Sequence, residues 1–260
     1  MPTFVTPGPI TAAVKVAGAQ VRVAASDRTD TVVLVEPIDE ANPSDVKVAS
    51  RTMVDFAAGQ LTVKTTVPGD KKGSVAITID LPAGSGLAAN LAYSSVQADG
   101  PLGECELHVA SGRAQLDRIS TLQANIADGE VAIGHIAGRA IIGGSAVAMW
   151  VGHASADLAL SSGSGSLDID RADGNVTATT GDAAIRIGRL TRGRAELMNR
   201  SGTIEIGISG GTAARVDANS ERGSVRNSVP SPENPGPFDN EVTVHARTRY
   251  GDIIVQRAAS

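Results

Sequence analysis

From about Leu87 onward, apolar residues come in pairs, most of them with one small or polar residue between the members, and the pairs return at a near-constant interval. Val131/Ile133, Met149/Val151, Leu167/Ile169, Ile185/Ile187 and Ile204/Ile206 follow one another at offsets of 18, 18, 18 and 19 positions. Ala114/Leu116 precedes this series and Ile253/Val255 ends it. A second series runs half an interval out of phase: Leu122/Ala124, Ala140/Ile142, Leu158/Leu160, Val176/Ala178, Ala195/Leu197 and Val216/Ala218, closing with Val242/Val244. Alternation with period two turns one face of a strand inward and the other outward. One such strand pair cannot bury its own apolar face. Stacking successive turns of chain at roughly 4.8 Å completes both the backbone pairing and the core. The spacing therefore predicts an all-β chain whose residues 87–260 form a single-stranded-type β-solenoid, or β-helix, an elongated stack of about 18 residues per coil. No stretch between the intervening glycines keeps a period of 3.6, so a helical reading fails.

Residues 1–86 read differently. Short alternating runs, among them Val14 to Val16, Val21 to Val23, Val46 to Val48, Leu61 to Val63 and Val75 to Ile79, are separated by turn signals such as Asn42-Pro43 and Pro68-Gly69-Asp70. This predicts an antiparallel β cap ahead of the solenoid. A Pro-rich stretch at 228–240 reads as a surface loop interrupting one coil.

Composition agrees with a narrow core. Aromatic residues make up 2% of the chain while aliphatic ones are plentiful, as a thin tube lined by Val, Ile, Leu and Ala requires. The formal charge of −5 offers no basic surface for nucleic acid, and no apolar run reaches the roughly 20 residues of a membrane helix. Pro2, Pro7 and Pro9 break the N-terminal stretch, which lacks the pattern of a secretion signal, so a cytoplasmic location is expected. Cys105 is the single cysteine; it excludes an internal disulfide and reads as a small buried residue.

The repeated unit of glycine, a polar residue, and two apolar residues flanking a third position occurs at Gly129 to Ile133, Gly165 to Ile169, Gly202 to Ile206 and Gly251 to Val255. It resembles the bacterial "putative adhesin" family, a β-strand-repeat domain of unknown function. The segments Ala25 to Asp30 and Leu81 to Gly84 look like its actinobacterial members. The resemblance implies an interaction protein and carries no catalytic residues.

Aligning the coils places Arg118, His135, His153, Arg171 and Arg189, then Ile208, at one position, two residues beyond the second inward apolar side chain. Stacked coils would make these a column able to bind an extended anionic polymer such as an acidic glycan or polyphosphate. Asp117, Asp157, Asp170 and Asp173 lie close enough to neutralise it instead. Trp150, with Ala132, Asp168, Arg186 and Glu205, falls on the outward face of the first strand and is a candidate contact residue. A polysaccharide-active enzyme would need clustered carboxylates; Asp168 and Glu205 are separated by Arg186. The sequence therefore predicts a non-enzymatic scaffold that binds a protein partner or another copy of itself, with the anionic polymer as the alternative ligand and no cofactor.

Overall fold

The computed structural model describes residues 1–65, 73–229 and 240–259, and its chain falls into two units, Met1–Glu130 and Val131–Ser260. Both are built almost wholly of β-strands. The turn Pro68-Gly69-Asp70 and most of the Pro-rich stretch lie outside the described residues.

The first unit opens with β1 (Thr3–Val5), β2 (Thr11–Ala17), β3 (Ala19–Ser26) and β4 (Asp30–Pro37), followed by helix α1 (Pro43–Arg51). Then come β5 (Met53–Ala57), β6 (Gln60–Lys64), β7 (Val75–Pro82) and β8 (Gly86–Ala92). The extended run β9 (Ser94–Ile136) begins in this unit and passes its end. Antiparallel pairing is present, joining β1 to β4, β4 to β7 and β5 to β6. The larger part of the unit, however, is parallel: β2 lies between β6 and β8, and β3 between β7 and β9. Residue 86 thus opens a strand laid on β2, and residues 86–109 continue a parallel stack that the first strands began.

The expected strand at Val46 to Val48 is a helix. Asn42 caps α1 by accepting a hydrogen bond from the Ser44 amide, and Pro43 occupies the first helical position, where its missing N–H costs nothing. Asn42-Pro43 is a break between elements, and the element it opens is a helix. Asp45 ties the helix down: its buried carboxylate accepts from the amides of Ser74 at 2.7 Å and Asp39 at 3.1 Å.

The second unit contains β10 (Ala140–Ala154), β11 (Leu158–Ser164), β12 (Leu167–Ala172), β13 (Val176–Asp182), β14 (Ile185–Leu190) and β15 (Gly193–Ser201). It ends with β16 (Ile204–Ile208), β17 (Thr212–Arg222), β18 (Val225–Asn227), β19 (Asn240–Tyr250) and β20 (Ile253–Arg257). Among the described residues, these strands pair with one another in parallel. Val151 opposes Ile169, Ile169 opposes Ile187, Ile187 opposes Ile206 and Ile206 opposes Val255, every one fully buried. The second series aligns likewise through Leu158, Val176 and Ala195.

Three details depart from the sequence alignment. A further inward row, Ile136, Ala154, Ala172, Leu190 and Ile208, lies beyond the bend that follows the first strand, and all five are buried. Ile208 belongs to that row, opposite Leu190, and does not continue the Arg/His column; an irregularity between Ile187 and Leu190 absorbs the extra residue that made one offset 19. Finally, the strand order is not the chain order. β19 lies between β15 and β17, and β20 between β16 and β18, so the segment that follows the Pro-rich stretch inserts under the one that precedes it. The pair opposite Ala195/Leu197 is consequently Val244/Ala246, not Val216/Ala218, and Val242 opposes Gly193. Hydrophobicity explains the order. Val242, Val244, Ala246, Ile253 and Val255 are fully buried, whereas Val225 in the outer strand is 43% exposed. The more apolar segment takes the place with neighbours on both sides.

Candidate functional site

The ends of β9, β10, β12 and β14 carry most of the candidate column. β10, β12 and β14 place His153 opposite Arg171 and Arg171 opposite Arg189, as parallel register at an offset of 18 requires. The rings of His135 and His153 stack with centroids 4.9 Å apart and planes inclined by 24°. Four of the five column residues are therefore brought together. Arg118 lies in the first unit, where its Nε donates to Asp117 at 3.3 Å.

The two histidines bond to partners on the neighbouring segment, two positions past the residue opposite each of them. His135 Nε2 shares a hydrogen bond of 2.9 Å with Ser155 Oγ, and His153 Nε2 one of 2.8 Å with Asp173 Oδ2. Arg171 grips the same carboxylate through Nε at 3.0 Å and through its terminal nitrogen at 3.0 Å. Burial alone would push the Asp173 carboxyl up; hydrogen bonds from Arg171 and His153 outweigh that and hold it down at about 2. Arg189 points a guanidinium nitrogen at the Ala259 carbonyl, 2.6 Å away. The other acids noted in sequence serve elsewhere. Asp157 accepts from Asn175, and Asp170 faces Arg186 at 3.5 Å. Of the four acids that sequence proximity nominates, Asp173 alone neutralises the column in the second unit. Its sequence signal is proximity: it stands two residues after Arg171, in the bend that follows β12.

The outward row is as the alternation predicts. Trp150 opposes Asp168, Asp168 opposes Arg186 and Arg186 opposes Glu205. Trp150 is 42% exposed, with its ring folded so close over Gly152 that a methyl group there would meet it at 3.1 Å. Arg186 separates the carboxylates and Gln256 donates to Glu205 at 3.0 Å, so no two acids of this row stand side by side. Cys105 is buried in the first unit, and burial pushes its thiol up to about 12, far from a nucleophilic thiolate at neutral pH.

Several solved structures match this chain along most of its length, and one of them shares its fold. A "putative adhesin" from Parabacteroides merdae matches over 98% of this chain and 94% of its own, at a TM-score of 0.50 and 12% identity. Proteins given the same name from Bacteroides fragilis and Parabacteroides distasonis match over 98% of this chain and 95% of their own, each at a TM-score of 0.40, with 11% and 13% identity. At such identities the likeness to the first is one of fold alone. No family model matches the sequence, and no curated protein does.

Proposed function

We propose that this chain is a non-enzymatic interaction protein, a β-solenoid of about 18 residues per coil whose outward side chains meet a protein partner or another copy of itself. The supporting observation is the register: inward positions repeat as apolar rows, while outward charges recur at fixed spacing and are satisfied by one another. Such a surface is stiff, periodic and nearly charge-balanced, which suits recognition by shape and repeated contacts. The name shared by its structural neighbours agrees with an adhesive role. Sedimentation velocity across a concentration series, together with copurification from the native cells, tests the reading. It expects ordered self-assembly or one stoichiometric partner. A monomer without such a partner removes it, and polysaccharide turnover by the purified chain overturns its non-enzymatic part.

A second reading, an anionic polymer lying along His153, Arg171 and Arg189, draws on their alignment. Asp173 already engages His153 and Arg171 and weakens it. Polyphosphate binding that disappears in Arg171→Ala/Arg189→Ala and falls steeply with salt would support it; equal binding by both proteins removes it.

A further inference from the structure

Tyr93 stands in the left-handed region, φ 51°, with its side chain 80% exposed. Its counterpart on the neighbouring strand is Gly18, φ 65°, because Ala17 opposes Ala92 and Gln20 opposes Ser95. One layer of this corner thus uses the residue that adopts the conformation freely, and the next uses a bulky aromatic that strains to do so. The tyrosine gains no packing for that strain. Nor does its hydroxyl hydrogen-bond to any described residue, so the side chain does nothing visible for the fold. A strained, exposed aromatic whose position tolerates glycine points to a contact outside the chain.

The surroundings define that contact. Tyr93 borders an open groove of about 590 Å³, within the range of small-ligand sites. The groove crosses successive strands at one corner, from Ser74 through Ala19 and Ser94 to Gly112 and Gly129. Four strand spacings make it roughly 19 Å long. Glycine keeps part of its floor bare: a Cβ on Gly112 would fall 1.9 Å from the Ser94 carbonyl, and one on Gly129 1.9 Å from the Gly112 carbonyl. Along its sides, Gln20 and Ser95 present an amide and a hydroxyl that no described residue satisfies. Asp128 receives only a 3.4 Å contact from Ser111. Arg113 and Glu130 close on each other at 2.7 Å, removing both charges as a strong field for ions.

An aromatic face, flanking amide, hydroxyl and carboxylate groups, and little net charge are what a pyranose ring requires: its C–H face stacks while its hydroxyls both donate and accept. We propose that this groove binds a linear, uncharged oligosaccharide lying across the strands, with one ring on Tyr93. A charged polymer would find the cation at Arg113 already paired. The site is separate from the Arg/His column and rests on neither ligand reading above, so its failure leaves the self-association and copurification results untouched.

The test is titration calorimetry of the whole chain with cellotetraose, chitotetraose, maltotetraose and mannotetraose, with decaproline as the peptide that an aromatic groove would alternatively accept. Saturable binding of one or more of the sugars is expected, weakened about tenfold or more by Tyr93→Ala and retained by Tyr93→Phe. Tyr93→Gly separates a binding role from a structural one. It should lose the same affinity while raising the melting temperature by about 2 °C, since the backbone strain is relieved. Failure of all four sugars to bind overturns the proposal, as does binding of decaproline alone or undiminished sugar binding by Tyr93→Gly.

Discussion

Asp173 engages two neighbouring side chains at once, and its effect is separable by pH. It is 15% exposed, accepts from His153 and Arg171, and titrates at about 2 rather than near 4. A depressed folded-state value means that its stabilisation is complete above the unfolded value and is lost as pH falls through the interval from about 4 to about 2. Asp173→Asn should therefore cost on the order of 2 kcal/mol at pH 7 and leave the remaining acid limb shallower between those values. Urea denaturation from pH 2 to 7 reads both effects; a variant with the parent's pH dependence would contradict the assignment. At the same scale, Gly129→Ala should cost several kcal/mol, because φ is 135° and the added carbon would overlap a neighbouring backbone oxygen. Circular-dichroism melts of that variant measure the loss.

Among the elements, burial is uneven along each strand by design of the alternation. Ile169 is fully buried between Val151 and Ile187, whereas Ile141 on β10 is 42% exposed opposite Ala159. Ile169→Ala should lose about 2–5 kcal/mol and Ile141→Ala less than about 0.5 kcal/mol, read from urea midpoints at constant slope. These inward and outward assignments were legible in the sequence, because period-two alternation is a local property. The third inward row was not: Ala154 and Ala172 follow a bend, their small size resembles a corner filler, and only their burial opposite each other shows that they face inside. Helix α1 was missed for a similar reason. Val46-Lys47-Val48 alternates like a strand, and the capping by Asn42 and the carboxylate contacts of Asp45 decide otherwise.

For the chain as a whole, the order of the last strands is the finding that local pattern could not supply. β19 sits beside β15 and shields β17 from it, so Glu196 opposes His245 and His245 opposes Asp217. In a Cys105→Ser background, the pair Glu196→Cys/His245→Cys should cross-link with a short bis-maleimide. Glu196→Cys/Asp217→Cys, one strand further apart, should not. The opposite outcome would restore the simple chain order. The placement leaves β17 and β18 as the outer layer, with alternating charges such as Arg215 paired to Glu241 and Asp217 paired to Arg247. Polar outer strands of this kind protect a stack from uncontrolled edge pairing.

Read alone, the sequence determined the strand-rich class, the interval of the repeat, the inward and outward alternation, and the alignment of His153, Arg171 and Arg189, because each follows from spacing along one chain. Tertiary structure decided which segment lies inside the final layers, which carboxylate holds His153 and Arg171, and where a strained Tyr93 meets a groove floored by glycine. Those depend on competition between segments for buried places and on distances across turns of chain, quantities that a linear pattern does not contain.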